Sequence, residues 1–398
     1  MPPIRERLQQ LWTTARRIPG RAARGRERVR LPLAAHVALM VVVAVLVLAC
    51  LLWLLTSDRT SPLSASPDDQ TTLETIRLAF YAVAGLGGVI ALTVAYRKQR
   101  LNEGESEREQ ARLFSERFAA AAEQLSSERA TNRLAGIYAM AALGDEWDAG
   151  RQTCVNVLCA YLRMPYEAPP PRHERDAGPM EAYWPVVEER LVRHTMLSAI
   201  AERLRAEPFR GRTWHECDFD FTGATLDEAD FDGAVFKGKV KFNYARFPRG
   251  SFDFGAATFM GPVSFRRAYF TGGRFFFDGT KCLGDFDFTE ANVSGGALYF
   301  RYTTFRGDAT SFSGSNFVGG TVVFEGCESA PVGRLRFDRV AFSGSQVSFT
   351  RMEPGSTTLS FADPAAWTHP PSLDESAMAL APGLRAPDPR EATSVDGA

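Results

Sequence analysis

The chain has 398 residues, 45% hydrophobic and 23% charged, with 46 Lys or Arg against 47 Asp or Glu and a net charge of −1. That length allows several domains, and that balance excludes a polyanion or a general nucleic-acid magnet. Six cysteines (50, 154, 159, 217, 282 and 327) show no paired framework, which excludes a disulfide-stapled secreted scaffold and suits a reducing compartment.

Residues 1–31 form a basic arm with nine arginines, Arg5, Arg7, Arg16, Arg17, Arg21, Arg24, Arg26, Arg28 and Arg30, against Glu6 and Glu27. Residues 32–56 then read as a first transmembrane helix, since 33–55 are apolar apart from His36 and long enough to span a bilayer core. The run is too long for a signal peptide and offers no cleavage site. A near-neutral external loop, 57–75, leads to a second span at 76–96, weakened by Arg77 and by Gly85, Gly87 and Gly88. Arg97, Lys98 and Arg100 follow at once, so positive flanks at both outer ends predict a hairpin with both termini in the cytoplasm. Ala84 and Gly88 form a small-xxx-small pair able to seat one span on the other. The arm then rests on anionic lipid. Arginine outnumbers lysine 41 to 5, the codon bias of a GC-rich bacterial genome.

Residues 97–163 predict a helical juxtamembrane region. Its elements are a charge-rich, proline-free helix, a second with Leu134, Ile137, Tyr138 and Ala141 on one face, and a third marked by Val155, Leu158, Tyr161 and Leu162. The expected arrangement is a small two-helix, HEAT-like unit. Residues 164–185, with prolines at 165, 169, 170, 171 and 179, predict a linker. A helix over 186–207 follows, with Val187, Leu191, Met196, Ile200 and Leu204 as its apolar stripe, expected to cap the next domain.

From 213 to 350 a large apolar residue returns every five residues, and 24 of the 29 phenylalanines lie here. Leu226, Phe231 and Phe236 each follow Ala224, Ala229 or Ala234 by two positions. The beat resumes at Phe242, Phe247 and Phe252, slips to Phe259, Phe265, Phe270 and Phe275, and continues through Phe288, Val293 and Leu298. Phe305, Phe312 and Phe317, then Phe337, Phe342 and Val347, complete it. A period of five fits neither a helix at 3.6 nor a strand at 2. It fits a coil that turns a corner every five residues. Phe-x-Phe pairs at 219/221, 252/254 and 286/288 leave the phase ambiguous. The phase is also open at 276–287 and 320–336. Residues 351–398 lose the period and, being rich in Pro, Ala and Ser, predict a disordered tail.

Ala229-Asp230-Phe231-Asp232-Gly233 and Ala291-Asn292-Val293-Ser294-Gly295 resemble the pentapeptide-repeat family, as does Ala234-Val235-Phe236-Lys237-Gly238 with a changed second position. The resemblance implies a right-handed, quadrilateral parallel β-helix. At about 20 residues per turn it makes six or seven coils, a rod on the order of 30 Å long. The juxtamembrane block also resembles a segment that accompanies these repeats in bacterial membrane proteins, with Ala135 replacing a glycine.

Candidate chemistry is sparse. The histidines at 36, 173, 194, 215 and 369 are scattered, and His215-Glu216-Cys217 lacks a second pair at metal-site spacing. Cys154 and Cys159 read as buried small residues, and Gly85-Leu86-Gly87-Gly88 is no phosphate loop. Asp227, Glu228, Asp230 and Asp232 take polar positions that solvate a face, and Asp230, Asn292 and Asn316 are placed to bond the corners. No catalytic, cofactor-binding or metal residue is assigned, and no cofactor is implied. The reading is a non-catalytic, membrane-anchored scaffold whose partners are the lipid bilayer and a cytoplasmic protein. Two alternatives stay open: a DNA mimic that modulates a type II topoisomerase, and an accessory subunit of a transport system. Between 218 and 350 stand 15 Asp or Glu and 14 Lys or Arg, which gives mimicry no polyanionic flank and nucleic acid no basic one. Homodimerisation through a rod end is a family-level option.

Overall fold

The computed structural model describes residues 69–168, 184–205, 213–329, 333–352 and 357–381, with isolated helical positions Val42, Leu46, Ala49 and Trp53. They belong to two compact units, Met1–Ser115 and Glu116–Ala398.

In the first unit the described chain is helix from Asp69 onward, the opening part of α1 (Asp69–Leu125). Tyr81, Val89 and Leu92 are exposed on it. A Cβ added at Gly85, Gly87 or Gly88 would meet nothing within 4 Å. Among the described residues no helix is long and apolar enough to cross a membrane. The expected span at 33–55 lies outside them except at the four isolated positions, as do the side chains at 76, 78–80, 82, 83, 86 and 90 of the expected second span. The basic arm 1–31 also lies outside.

The second unit joins three helices to a solenoid. α2 (Ala130–Glu146) is rich in alanine and buries Ile137, Met140, Ala141 and Leu143. Trp147, extended at φ −123° and ψ 99°, breaks it from α3 (Asp148–Leu162). α4 (Trp184–Leu204) buries Val192, Met196, Ile200 and Leu204. Two expected face residues turn outward: Tyr138 is 59% exposed and Leu191 53%. The unit is also larger than the expected pair, because α2 packs on both α3 and α4. Gly136 lets the end of α1 close on α2: a Cβ there would lie 2.7 Å from the Leu125 nitrogen.

The solenoid has four parallel sheets, one per face, with every neighbouring strand one coil further along the chain. The first face runs from Phe219–Asp220 to Thr357–Ser360 and the second from Arg246–Phe247 to Ala366–Trp367. The third runs from Ala229–Asp230 to Ser372–Leu373 and the fourth from Val235–Phe236 to Glu328–Ser329. Phe252 pairs with Phe275 and Phe275 with Leu298, a coil step of 23 residues rather than 20. The extra residues widen the first and third faces. There both members of a Phe-x-Phe pair point inward, as Phe219 and Phe221 do on the first and Phe252 and Phe254 on the third. That settles the phase: Phe277, Cys282, Phe286 and Phe288 are all inward, as are Val322, Phe324, Leu335 and Phe337. About six coils result, roughly 29 Å of rod at one strand spacing each.

Each inward ring stacks on its counterpart one coil away. Phe254, Phe277, Phe300, Phe324 and Phe349 form one column, with centroid spacings of 5.0, 4.7, 4.9 and 4.7 Å. Phe221, Phe242 and Phe265 begin a second, at 5.0 and 4.7 Å. Burying each ring contributes about 2–3 kcal/mol, and each stacked pair about 1 kcal/mol more. On the second face the partner two residues before the inward residue is small at Ala224, Ala245, Ala268 and Ala291, whereas on the first and third faces it is mostly a second large inward side chain. Where a small partner is polar it is satisfied: the hydroxyls of Thr280, Thr303 and Ser315 donate to the carbonyls of Phe254, Phe277 and Phe288 at 2.6–2.7 Å.

The four corners use two devices. Three corners hold residues at positive φ, the sign a type II turn requires. One of them stacks Tyr244, Arg267 and Glu290, with φ of 57° at all three. Two of the four corners are glycine columns, one of them, Gly250, Gly273, Gly296 and Gly320, also at positive φ. At Gly261 a Cβ would sit 2.2 Å from the Gly238 carbonyl oxygen, and Gly284 repeats the approach on Gly261 at 2.5 Å. Only a residue without a Cβ lets the coils stack there.

The coil does not stop at 350. Leu359 pairs with Leu335 and Trp367 with Phe342, and Leu373 pairs with Phe349. α5 (Glu375–Ala379) then closes the end, where the Leu359 amide donates to the Leu380 carbonyl at 2.8 Å. The expected disordered tail is therefore ordered over 357–381. Composition misled because Pro364 and Pro370 lie outside the strands, where a missing amide donor costs little. Residues 382–398 lie outside the description.

Candidate functional site

Two surfaces of the second unit present groups to a ligand: the junction of helices with the first coil, and the outer faces of the rod. At the junction Trp214 is fully buried beneath α2 and α4, and its indole donates to Asp145 Oδ1 at 2.9 Å. Arg203 of α4 donates from Nε and Nη2 to the same carboxylate at 2.7–3.0 Å and lies over the indole at 5.1 Å. The open edge of the first coil is matched by a side chain of α3. Gln152 donates to the Asp218 carbonyl and accepts from its amide, each at 2.8 Å. Arg205 forms an antiparallel bridge to Ala234. The cap is thus shared by α3 and α4, not made by α4 alone, because an open coil leaves backbone groups that several elements must satisfy.

Part of the expected linker is also fixed. The Tyr166 hydroxyl donates to Asp227 Oδ2 at 3.2 Å, and Arg190 to the same oxygen at 3.0 Å. Arg193, 3% exposed, donates to the carbonyls of Leu162 and Met164 and to Glu189. Burial and then the Asp227 charge push the Tyr166 phenol up. Asp227, expected to solvate a face, is 5% exposed and serves this junction. Residues 169–183 lie outside the described chain.

A cavity of about 200 Å³ at the same junction is lined by Tyr138, Ser198, Glu202, Arg205 and Asp230. It falls short of the roughly 300–1,000 Å³ that encloses a cofactor. Among the described residues no three His, Cys, Asp or Glu side chains are placed to hold a metal ion. His215, Glu216 and Cys217 diverge: the His215 ring faces the Arg205 carbonyl, Glu216 accepts from Lys237 at 2.8 Å, and Cys217 is buried. Burial pushes the thiols of Cys154, Cys159 and Cys327 up to about 12, and Cys282 higher. Such thiols are poor nucleophiles. Asp230 bonds its corner as expected, accepting from the Asp232 amide at 3.0 Å. Asp220, Asp253 and Asp287 do the same two residues on, and the Asp-Phe dipeptide was the sequence signal for all four. Asn292 and Asn316 instead stand opposite each other in the second face.

The outer faces are strand ladders, with one outward residue per two-residue strand and three on the five-residue strands of the third face. On the first face that residue is Lys241, Ser264, Asp287 or Ser311, and on the fourth Thr258, Lys281, Thr304 or Glu328. Against known families, residues 221–274 match pentapeptide repeats (9 copies). The chain carries a pentapeptide-repeat β-solenoid. No curated protein and no solved structure matches it. Pentapeptide-repeat proteins are generally non-catalytic, and their fold generally serves protein interaction. The match ends near the coils where steps of 23 residues give way to 24 and 25, as at Val322 and Val347, yet the strand ladder continues unbroken.

Proposed function

We propose that the protein is a membrane-anchored, non-catalytic scaffold that presents its pentapeptide-repeat rod to a cytoplasmic protein partner. The observation that carries the reading is one chain joining an apolar, arginine-flanked segment at 33–55 to a solenoid with flat, regular outer faces. The membrane part rests on that segment, on the nine arginines before it and on the exposed Tyr81, Val89 and Leu92 of α1. The interaction part rests on the fold and on the balanced charge of 15 acids and 14 bases over 218–350, which argues against imitation of DNA.

Two measurements test it. After alkaline extraction of cells, the full chain stays with the membrane and a variant lacking residues 1–100 is released; release of the full chain would refute anchoring. Crosslinking and affinity capture then compare the full chain with a form ending at Ala206. A partner held only by the full chain supports the rod as adaptor, whereas identical sets would move the function to the N-terminal half.

A further inference from the structure

The third face differs from the other three. Its strands lengthen along the rod, from two residues at Ala229–Asp230 to five at Ala297–Arg301, Thr321–Glu325 and Gln346–Thr350, giving a broad flat seat. Its outward column begins acidic, with Asp230 and Asp253, and then becomes apolar, with Phe276, Tyr299 and Val323. Phe276 and Tyr299 stack at 5.3 Å and 11° and are half-buried, with the Arg301 guanidinium 4.6 Å from the Tyr299 ring centre. Two of the charges beside the apolar stripe are paired: Arg301 lies 3.7 Å from Asp278, and Arg351 lies 3.0 Å from Glu325, while Arg274, exposed two residues before Phe276, makes no ion pair among the described residues. At the acidic end the compensation fails. Asp230 has Arg205 at 3.6 Å, but Asp232 and Asp253 make no ion pair among the described residues. Desolvation and the fields of Asp253 and Asp230 hold the Asp232 carboxyl above the usual range against the opposing field of Arg205, so the three carboxylates of this negative pad share one nearby cation.

From Asp253 to Val323 is three coil steps, about 15 Å, the length of roughly ten helical residues. We propose that the third face seats a short amphipathic helix of a partner protein, with Lys or Arg at the end over Asp232 and Asp253 and apolar side chains over Phe276, Tyr299 and Val323. This rests on the scaffold reading above and names the face and the chemistry it takes. A flat apolar strand ladder buries a helix stripe as sheets do inside α/β proteins. The pad fixes which way the helix runs, because a reversed helix would leave its cations over neutralised Arg301 and Glu325.

The test uses the full chain in cells, with benzoylphenylalanine at one outward position per face: Val323 on the third, Lys241 on the first, Asn316 on the second and Lys281 on the fourth. The proposal expects an adduct from Val323 alone, joined to a segment with an apolar stripe and Lys or Arg at one end. Asp232→Asn with Asp253→Asn should lower that yield about fivefold, the worth of an exposed ion pair or two, while Asn at both positions keeps the Asp253 turn acceptor and the melting temperature. An adduct from another face only would overturn this inference and leave the scaffold reading standing. An adduct at Val323 to a segment without basic residues, or one indifferent to the Asp substitutions, would overturn the proposed chemistry. Adducts from no face would remove both readings.

Discussion

The helical cap and the coil of the second unit are stabilised by different means, although they share an interface. In the cap, specificity comes from a few polar hubs, each made once: Arg203 with Asp145 and Trp214, and Arg193 with Glu189 and two carbonyls. In the coil a backbone amide bonds the carbonyl one coil away throughout, ring on ring recurs along most columns, and an Asp-Phe corner returns at four positions. A hub resists substitution because each partner is left buried without the other. A repeat spreads its cost over neighbours that make the same bond, so it tolerates outward change and punishes inward change.

That contrast can be broken or sharpened by substitution, read as thermal melting of the full chain by circular dichroism. Phe231→Asp should have the largest effect, unfolding the first coils, since a buried carboxylate without a partner costs several kcal/mol. A folded variant would show that the inward phase is wrong. Arg203→Ala comes next, at about 2–3 kcal/mol, because Asp145 would keep its charge beneath α4; a loss under 0.5 kcal/mol would show that the hub is ornamental. Gly261→Ala should cost about 1–3 kcal/mol through contact with the Gly238 carbonyl, and a neutral result would mean that the glycine corner can spread.

Smaller effects follow at the closing end and on the surface. Asp374 caps α5, accepting from the Ala377 amide at 2.9 Å, and bonds from Ser376, Ala377 and Arg351 hold its carboxyl below the usual range. A depressed folded value means stability that is present above the unfolded value of 3.8 and lost as pH falls through the folded one. Asp374→Ala should therefore cost about 1 kcal/mol at pH 7 and erase that acid-side loss; an unchanged acid limb would contradict the cap. Asp232→Ala, at an outward position, should be nearly silent, within about 0.5 kcal/mol. If it matched Phe231→Asp, the inward and outward assignments would both fail.

Much of the coil was legible because its period is set by steric need. The nineteen beat residues from Leu226 to Val347 named from the sequence are all buried. The Phe-x-Phe ambiguity was also real information: it marked the two faces that take two inward rings. The coil length of 23 was less legible, since six- and seven-residue slips do not say which face they widen. In the cap, Tyr138 on α2 and Leu191 on α4 were misassigned because each helix packs on two neighbours, α2 on α3 and α4, and α4 on α2 and the first coil, so neither has a single apolar stripe to read. The acidic end and aromatic stripe of the third face were hidden for a different reason. Asp253, Phe276, Tyr299 and Val323 are about a coil apart in sequence and become neighbours only through register.

By itself the sequence determined the repeat, its inward rings, the small partner two residues before those of the second and fourth faces over most coils, and the apolar, arginine-flanked segment near the N-terminus. These follow from local rules, a five-residue corner and a hydropathy window, that need no knowledge of distant neighbours. Tertiary structure alone decided the width of each face, the glycine corners, the shared helical cap, the coil's extension to Leu373 and the column of outward residues on the third face. Each depends on which residues one coil apart come to lie 4.8 Å from one another, roughly one strand spacing, and that register is fixed only when the whole stack closes.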